Sequence, residues 1–184
     1  MQKRTQKREV LNLEIPFTLI EKLTIGISIF FIAGLIITTI LLYPGMPRQI
    51  PTHFDLAGQP DQYGSKLILF IVPAMTLVIS SFLFSMGFST KFYNSARNAP
   101  EIVRQQFVLV RKLVLSMTLV IALLMIYIQS AALSIAAGLI HDLGVLPLIF
   151  FVIMIFAPLL IFLRRTRALK IQASRMSGKG KRRP

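Results

Sequence analysis

Apolar residues run almost unbroken through four windows of the chain, and charged residues collect at the window edges. The windows are 23–43, 67–90, 113–140 and 143–163, with Lys22, Arg48, Lys66, Lys91, Lys112, His141, Asp142 and Arg164 among the residues that bound them. At about 1.5 Å per residue, some ~20 residues cross a hydrocarbon core of about 30 Å, so each window is long enough to span a membrane as a helix. Lipid offers no partner to free backbone N–H and C=O groups, which excludes an open strand. Pro73 and Pro158 fall inside windows, where kinks are expected. The pattern predicts an all-α, polytopic membrane protein with four transmembrane helices. Between and around them lie a basic segment 1–22, a loop 44–66, a second loop 91–112 and a basic tail 164–184.

Composition sharpens this reading. Of 184 residues 54% are hydrophobic and 15% charged, where a soluble domain carries about 25% charged residues. Lys and Arg number 21 against 7 Asp and Glu, and 19 of those 21 lie in 1–22, 91–112 and 164–184. Only Arg48 and Lys66 lie in the loop 44–66. The positive-inside bias then predicts a multi-pass protein of the cell membrane with both termini cytoplasmic. The first window is too long for a removable signal peptide and lacks a small-residue cleavage site, so it is expected to stay as an anchor. With no cysteine, disulfides, thiolate metal sites and a cysteine nucleophile are excluded. The basic tail can hold phosphates by charge alone, but cations directly after a span are the pattern of an orientation signal resting on anionic lipid headgroups. The lipid bilayer is therefore the expected partner and nucleic acid is not. Ser177 to Pro184 is expected to be disordered.

The loop 44–66 has a different character. Pro47 and Pro51 favour extended backbone, while Gly58, Pro60, Asp61 and Gly64 are turn formers. A short hairpin or ordered cap follows, with Phe54, Leu56 and Tyr63 expected against the bilayer surface or the helix tops. The string Pro51-Thr52-His53-Phe54-Asp55, then Gly58-Gln59-Pro60-Asp61, then Gly64-Ser65-Lys66, set between two spans, resembles the membrane-associated family called domain of unknown function 1648. The resemblance covers about residues 23–90. That family includes the amino-terminal part of the SdpI-type immunity proteins, bacterial polytopic proteins that protect a producing cell from its own secreted toxin and take part in signalling its presence. Four spans are fewer than SdpI-type proteins carry and their second conserved domain is not recognised after Lys91, so the resemblance does not by itself imply immunity; an immunity, sensing or signalling role, with an extracellular peptide or a second membrane protein as partner, is an expectation. The resemblance marks His53, Phe54, Asp55, Gly58, Pro60, Asp61, Gly64, Ser65 and Lys66 as the extracytoplasmic motif and assigns them no chemistry.

The only two histidines, His53 and His141, fall on the outer side by this topology. Together with Asp55, Asp61 and Asp142 they form a nitrogen and oxygen donor set suited to Zn²⁺ or another divalent metal, provided the cap folds over the connection between the third and fourth windows. The same residues also serve simply to end helices in the headgroup layer. No H-E-x-x-H spacing accompanies them, so no cofactor is expected. Ser65 and Lys66 are sequence neighbours and a poor nucleophile–base pair; Lys66 is expected to snorkel and to pair with Asp61 or Asp55. The windows hold no charged residue at mid-depth, which a proton-coupled pathway needs. Their polar side chains, Ser80, Ser81, Ser85, Ser116, Thr118, Gln129, Ser130 and Ser134, are expected to pack helices together, with Ser130/Ser134 and Ala132/Ala136 as small-xxx-small pairs. The fourth window lacks hydrogen-bonding side chains and is expected at the lipid-facing periphery. The first functional reading is a non-enzymatic sensing, immunity or signalling component. A transporter or accessory membrane subunit, with a cavity near Gln129, is the second, and a metal-dependent membrane enzyme the third.

Overall fold

The computed structural model describes residues 15–88 and 100–180. Lys3, Arg4, Lys7, Arg8, Lys91 and Arg97, the end of the second window at Ser89 and Thr90, and the last four tail residues lie outside the described residues. In chain order the elements are α1 (Leu19–Leu42), a 3-10 turn (Tyr43–Gly45), β1 (Gln49–Phe54), β2 (Pro60–Ser65), a second 3-10 turn (Lys66–Phe70), α2 (Ile71–Phe88), α3 (Pro100–Ala136) and α4 (Val145–Gly180). All four α-helices are long and apolar enough to cross a membrane. The chain is a multi-pass membrane protein of the all-α class, with a two-stranded hairpin between its first two spans.

The helices outrun the apolar windows for local reasons. Thr18 starts α1 with a capping box: its side chain accepts from the Glu21 N–H while the Glu21 carboxylate takes the Thr18 N–H, which satisfies two orphan donors. Pro100 begins α3, a position where its missing N–H costs nothing. Much of the expected loop 91–112 is thus helix, and Arg104, Arg111 and Lys112 ride on it. At the other end α3 stops at Ala136 and not at residue 140, because Gly138 takes a left-handed φ of +73° and turns the chain. Helix α4 runs through the tail to Gly180, so Ser177–Gly180, expected to be disordered, is helical. The reason is composition: Arg, Ala, Leu, Lys and Gln are strong helix formers. Pro73 sits in the first turn of α2, where no intrahelical donor is lost, so its expected kink has no cause there. Pro158 lies within α4.

Burial is the inverse of a water-soluble core. The inward face of α1 carries Ser28, Ile32, Leu35 and Thr39, and α2 turns Thr76, Ser80 and Gly87 inward. Large side chains such as Phe30, Ile40, Val78, Phe82, Leu146 and Phe150 point outward, as a hydrocarbon solvent permits. The buried hydroxyls of Ser28, Thr39, Thr76 and Thr118 each donate to the carbonyl four residues earlier, at 2.7–2.9 Å. Small residues then let backbones approach: a Cβ on Gly87 would stand 3.0 Å from Val114 Cγ2 of α3. Among the polar residues expected to pack, Ser80, Thr118 and Gln129 are buried, while Ser81, Ser85 and Ser130 face outward. Helix α3 is the hub, in contact with α1, α2, α4 and β1. Helix α4 leans mainly on α3, and apart from Phe151 the side chains along its apolar stretch are exposed or half-buried.

Candidate functional site

The hairpin is built by its turn residues. Strands β1 and β2 pair antiparallel in the register Gln49↔Ser65, Ile50↔Gly64, Pro51↔Tyr63, His53↔Gln62 and Phe54↔Pro60, with irregularities around Thr52 and Asp61. Pro51 has no N–H to give a ladder, and a bulge beside it absorbs the loss. Gly64 is required by proximity, since a Cβ there would lie 2.8 Å from Thr52 Cγ2. At the tip, Asp55 Oδ1 accepts from the N–H groups of Ala57 and Gln59 at 2.9 and 2.8 Å, an Asx turn that replaces ladder bonds. Gly58 closes the turn at φ +82°.

Ile50 anchors the hairpin from below, 1% exposed and packed with Leu69 and Leu133; burying such a side chain contributes about 1.5–3 kcal/mol. The tip leans sideways onto the α3–α4 connection. Leu143 N–H donates to Gly58 O at 2.9 Å, and Gln59 Nε2 donates to Asp142 Oδ2 at 3.1 Å. A Cβ on Gly58 would stand 3.2 Å from Leu143 Cβ and 3.3 Å from Gly144 N. The Tyr127 hydroxyl donates to Leu143 O, and its ring lies 5.4 Å from that of Phe151. One continuous set of contacts therefore joins the hairpin tip to α3 and α4.

This geometry sorts the nine motif residues. Asp55, Gly58 and Gly64 make the hairpin, and Pro60 opposes Phe54 where β2 begins. Ser65 caps the second 3-10 turn by accepting from Leu67 N–H at 3.3 Å. Lys66 does not pair with Asp55 or Asp61. Its Nζ donates to the carbonyls of Tyr43 and Met46 at 3.2 and 3.3 Å and stands 4.5 Å from the Tyr43 ring centroid, so the cation serves the carbonyl end of α1. What stays outward is the pair His53 and Asp61, Nδ1 to Oδ1 at 2.7 Å with both side chains largely exposed, beside Leu56 and Tyr63. Leu56 is 99% exposed and Tyr63 58%, so neither lies on the helix tops.

The metal-donor set does not assemble. Among the described residues no group of three or more His, Asp or Glu is gathered. Asp61 is taken by His53, Asp55 by its own turn, and Asp142 by Gln59 and by Gly144 N–H at 2.7 Å. The cap does fold over the α3–α4 connection, but through backbone and amide groups instead of imidazoles. Gln129 is enclosed, its amide donating to the Thr39 hydroxyl of α1.

A second polar cluster lies at the opposite end. Glu21 and Arg111, both 3% exposed, form a two-pronged ion pair: Nε to Oε1 at 2.9 Å and Nη2 to Oε2 at 3.0 Å. Nη1 and Nη2 also donate to Ile15 O and Pro16 O, and Phe17 covers the cation at 4.4 Å. In the sequence Arg111 is legible only as one of the topology cations of 91–112. No local signal could pair it with Glu21, although the capping pattern Thr18-x-x-Glu21 does mark that carboxylate as placed.

Comparison with known proteins supports the loop reading. Residues 29–77 match the family described as Domain of unknown function (DUF1648), so the resemblance carried by the loop motif holds for the segment from α1 into α2. A curated protein of Archaeoglobus fulgidus, described as an uncharacterized protein, is 29% identical over 182 residues, covering 89% of this chain and 96% of its own. No solved structure matches the chain.

Proposed function

We propose that the protein lies in the cell membrane with both termini cytoplasmic and acts without catalysis, its hairpin receiving an extracellular peptide or a membrane partner in an immunity, sensing or signalling role. The observation that carries this reading is the bond from Leu143 N–H to Gly58 O at 2.9 Å. A partner that presses on Leu56, Tyr63 or the His53–Asp61 pair acts directly on the joint between α3 and α4. The orientation is supported by Arg104, Arg111, Lys112, Arg164, Arg165, Arg167 and Lys170, all at the end away from the hairpin. A non-enzymatic role is supported by the occupation of the nearest reactive groups: the Ser65 hydroxyl caps a turn and the Lys66 amine holds two carbonyls.

Both parts can be tested. The chain has no cysteine, so single cysteines report cleanly. Leu56→Cys should react with a membrane-impermeant maleimide in intact cells and Arg167→Cys only after permeabilisation; the reverse pattern overturns the orientation. A Leu56→Asp, Tyr63→Ala variant should reproduce the phenotype of the deletion strain at unchanged membrane abundance. A normal phenotype would remove the hairpin from the function.

A further inference from the structure

At the basic end, the faces of α3 and α4 diverge into a groove that the hairpin does not explain. Its outer part is a cavity of about 600 Å³ bordered by Arg104, Lys112, Arg164 and Arg165. A second cavity of about 370 Å³ shares Lys112 and Arg165 and continues toward mid-span between Leu113 of α3 and Pro158, Ile161 and Phe162 of α4. Either volume falls in the range of small-ligand sites, about 300–1,000 Å³. Four cations stand at one end, an apolar trough leads away from them, and among the described residues no carboxylate lines either cavity. Among the described residues, Arg104 has only a loose exposed partner, Glu101 at 3.9 Å, and such surface pairs contribute little.

We propose that this groove binds an anionic phospholipid of the adjacent leaflet, its phosphate among Arg104, Lys112, Arg164 and Arg165 and an acyl chain along Leu113, Pro158 and Phe162. Charge selects the headgroup: a choline would bring a fifth cation into the cluster, whereas a glycerol or second phosphate would not. The trough selects an amphiphile over free phosphate, which would leave its apolar walls uncovered. Helix α4 presents this groove to lipid because its span is packed on one side only. The inference requires that α3 and α4 span the bilayer and is independent of what the hairpin receives.

The test uses the full-length chain, purified and delipidated in detergent. It is titrated with dioleoylphosphatidylglycerol, dioleoylphosphatidylcholine or inorganic phosphate, and read by native mass spectrometry and thermal melting. The expected result is one retained phosphatidylglycerol and a raised melting temperature, with neither effect from the other two. Arg164→Gln with Arg165→Gln should weaken that binding about 30-fold, two headgroup-level cations having been removed. Arg167→Gln with Lys170→Gln removes the same charge outside the groove and should leave it unchanged. Ala168→Phe, which fills the outer cavity and keeps every charge, should abolish it. Equal weakening by the two charge pairs, equal binding of phosphatidylcholine, an equal effect of phosphate alone, or full binding by Ala168→Phe would each overturn the proposal.

Discussion

At the hairpin end the bundle is closed by turns, backbone bonds and one buried isoleucine; at the basic end it is closed by a desolvated ion pair. The hairpin holds Gly58 against Leu143 and Ile50 against Leu133, contacts that are individually modest and neutral. Glu21 and Arg111 are joined at 2.9 and 3.0 Å and almost wholly shielded. A neutral joint can part and close again at small cost. A buried charge left without its partner cannot, because removal of one member costs several kcal/mol. The difference suits the two ends to different behaviour: the basic end fixes α1 to α3, and the hairpin joint can open and close.

The largest effect that would sharpen this contrast is expected from Arg111→Ala, which strands the Glu21 carboxylate and should cost about 3–5 kcal/mol. Membrane abundance and the melting temperature in detergent should both fall, and Glu21→Met combined with Arg111→Met should recover much of the loss. If the single and double variants behave alike, the pair is not what fixes this end. Next comes Lys66→Met, which removes two charged hydrogen bonds to Tyr43 and Met46 carbonyls and should cost about 1.5 kcal/mol, read as a smaller drop in melting temperature. Gly58→Ala forces a left-handed φ on an L-residue for about 1–2 kcal/mol, and its methyl meets Leu143. Its signature should be faster proteolysis of the hairpin tip with the spans intact. The smallest effect belongs to His53→Ala: an exposed pair contributes about 0–1 kcal/mol, so abundance should match the parent. A fall as large as that of Arg111→Ala would erase the distinction between the two ends.

Much of this architecture is legible in the sequence because lipid leaves the chain few choices. Uninterrupted apolar windows can only be helices, and Asp55, Gly58 and Gly64 announce a turn through their own backbone chemistry. What stays illegible is every feature that depends on distant partners. Glu21 and Arg111 are 90 positions apart, and nothing near either residue names the other. Lys66 looks like a partner for the aspartates near it in sequence, yet carbonyls at the end of α1 lie closer in space. The metal-donor set stays apart for the same reason: Asp55 and Asp142 accept from nearby N–H groups, and only Asp61 meets an imidazole, that of His53. The helical reach of α4 through its basic tail is local in origin, and it is hidden only because hydropathy marks where a span ends and not where a helix does.

The seat of the hairpin has a consequence for the order in which this protein is made. Residues 49–65 leave the ribosome before Leu133 and Leu143, the side chain and the N–H that receive them. While synthesis proceeds from the amino terminus, the hairpin must wait with Ile50 uncovered and the Gly58 carbonyl unanswered. Its docking therefore comes last and requires that the third and fourth spans have arrived in register, which makes the closed hairpin a mark of completed assembly.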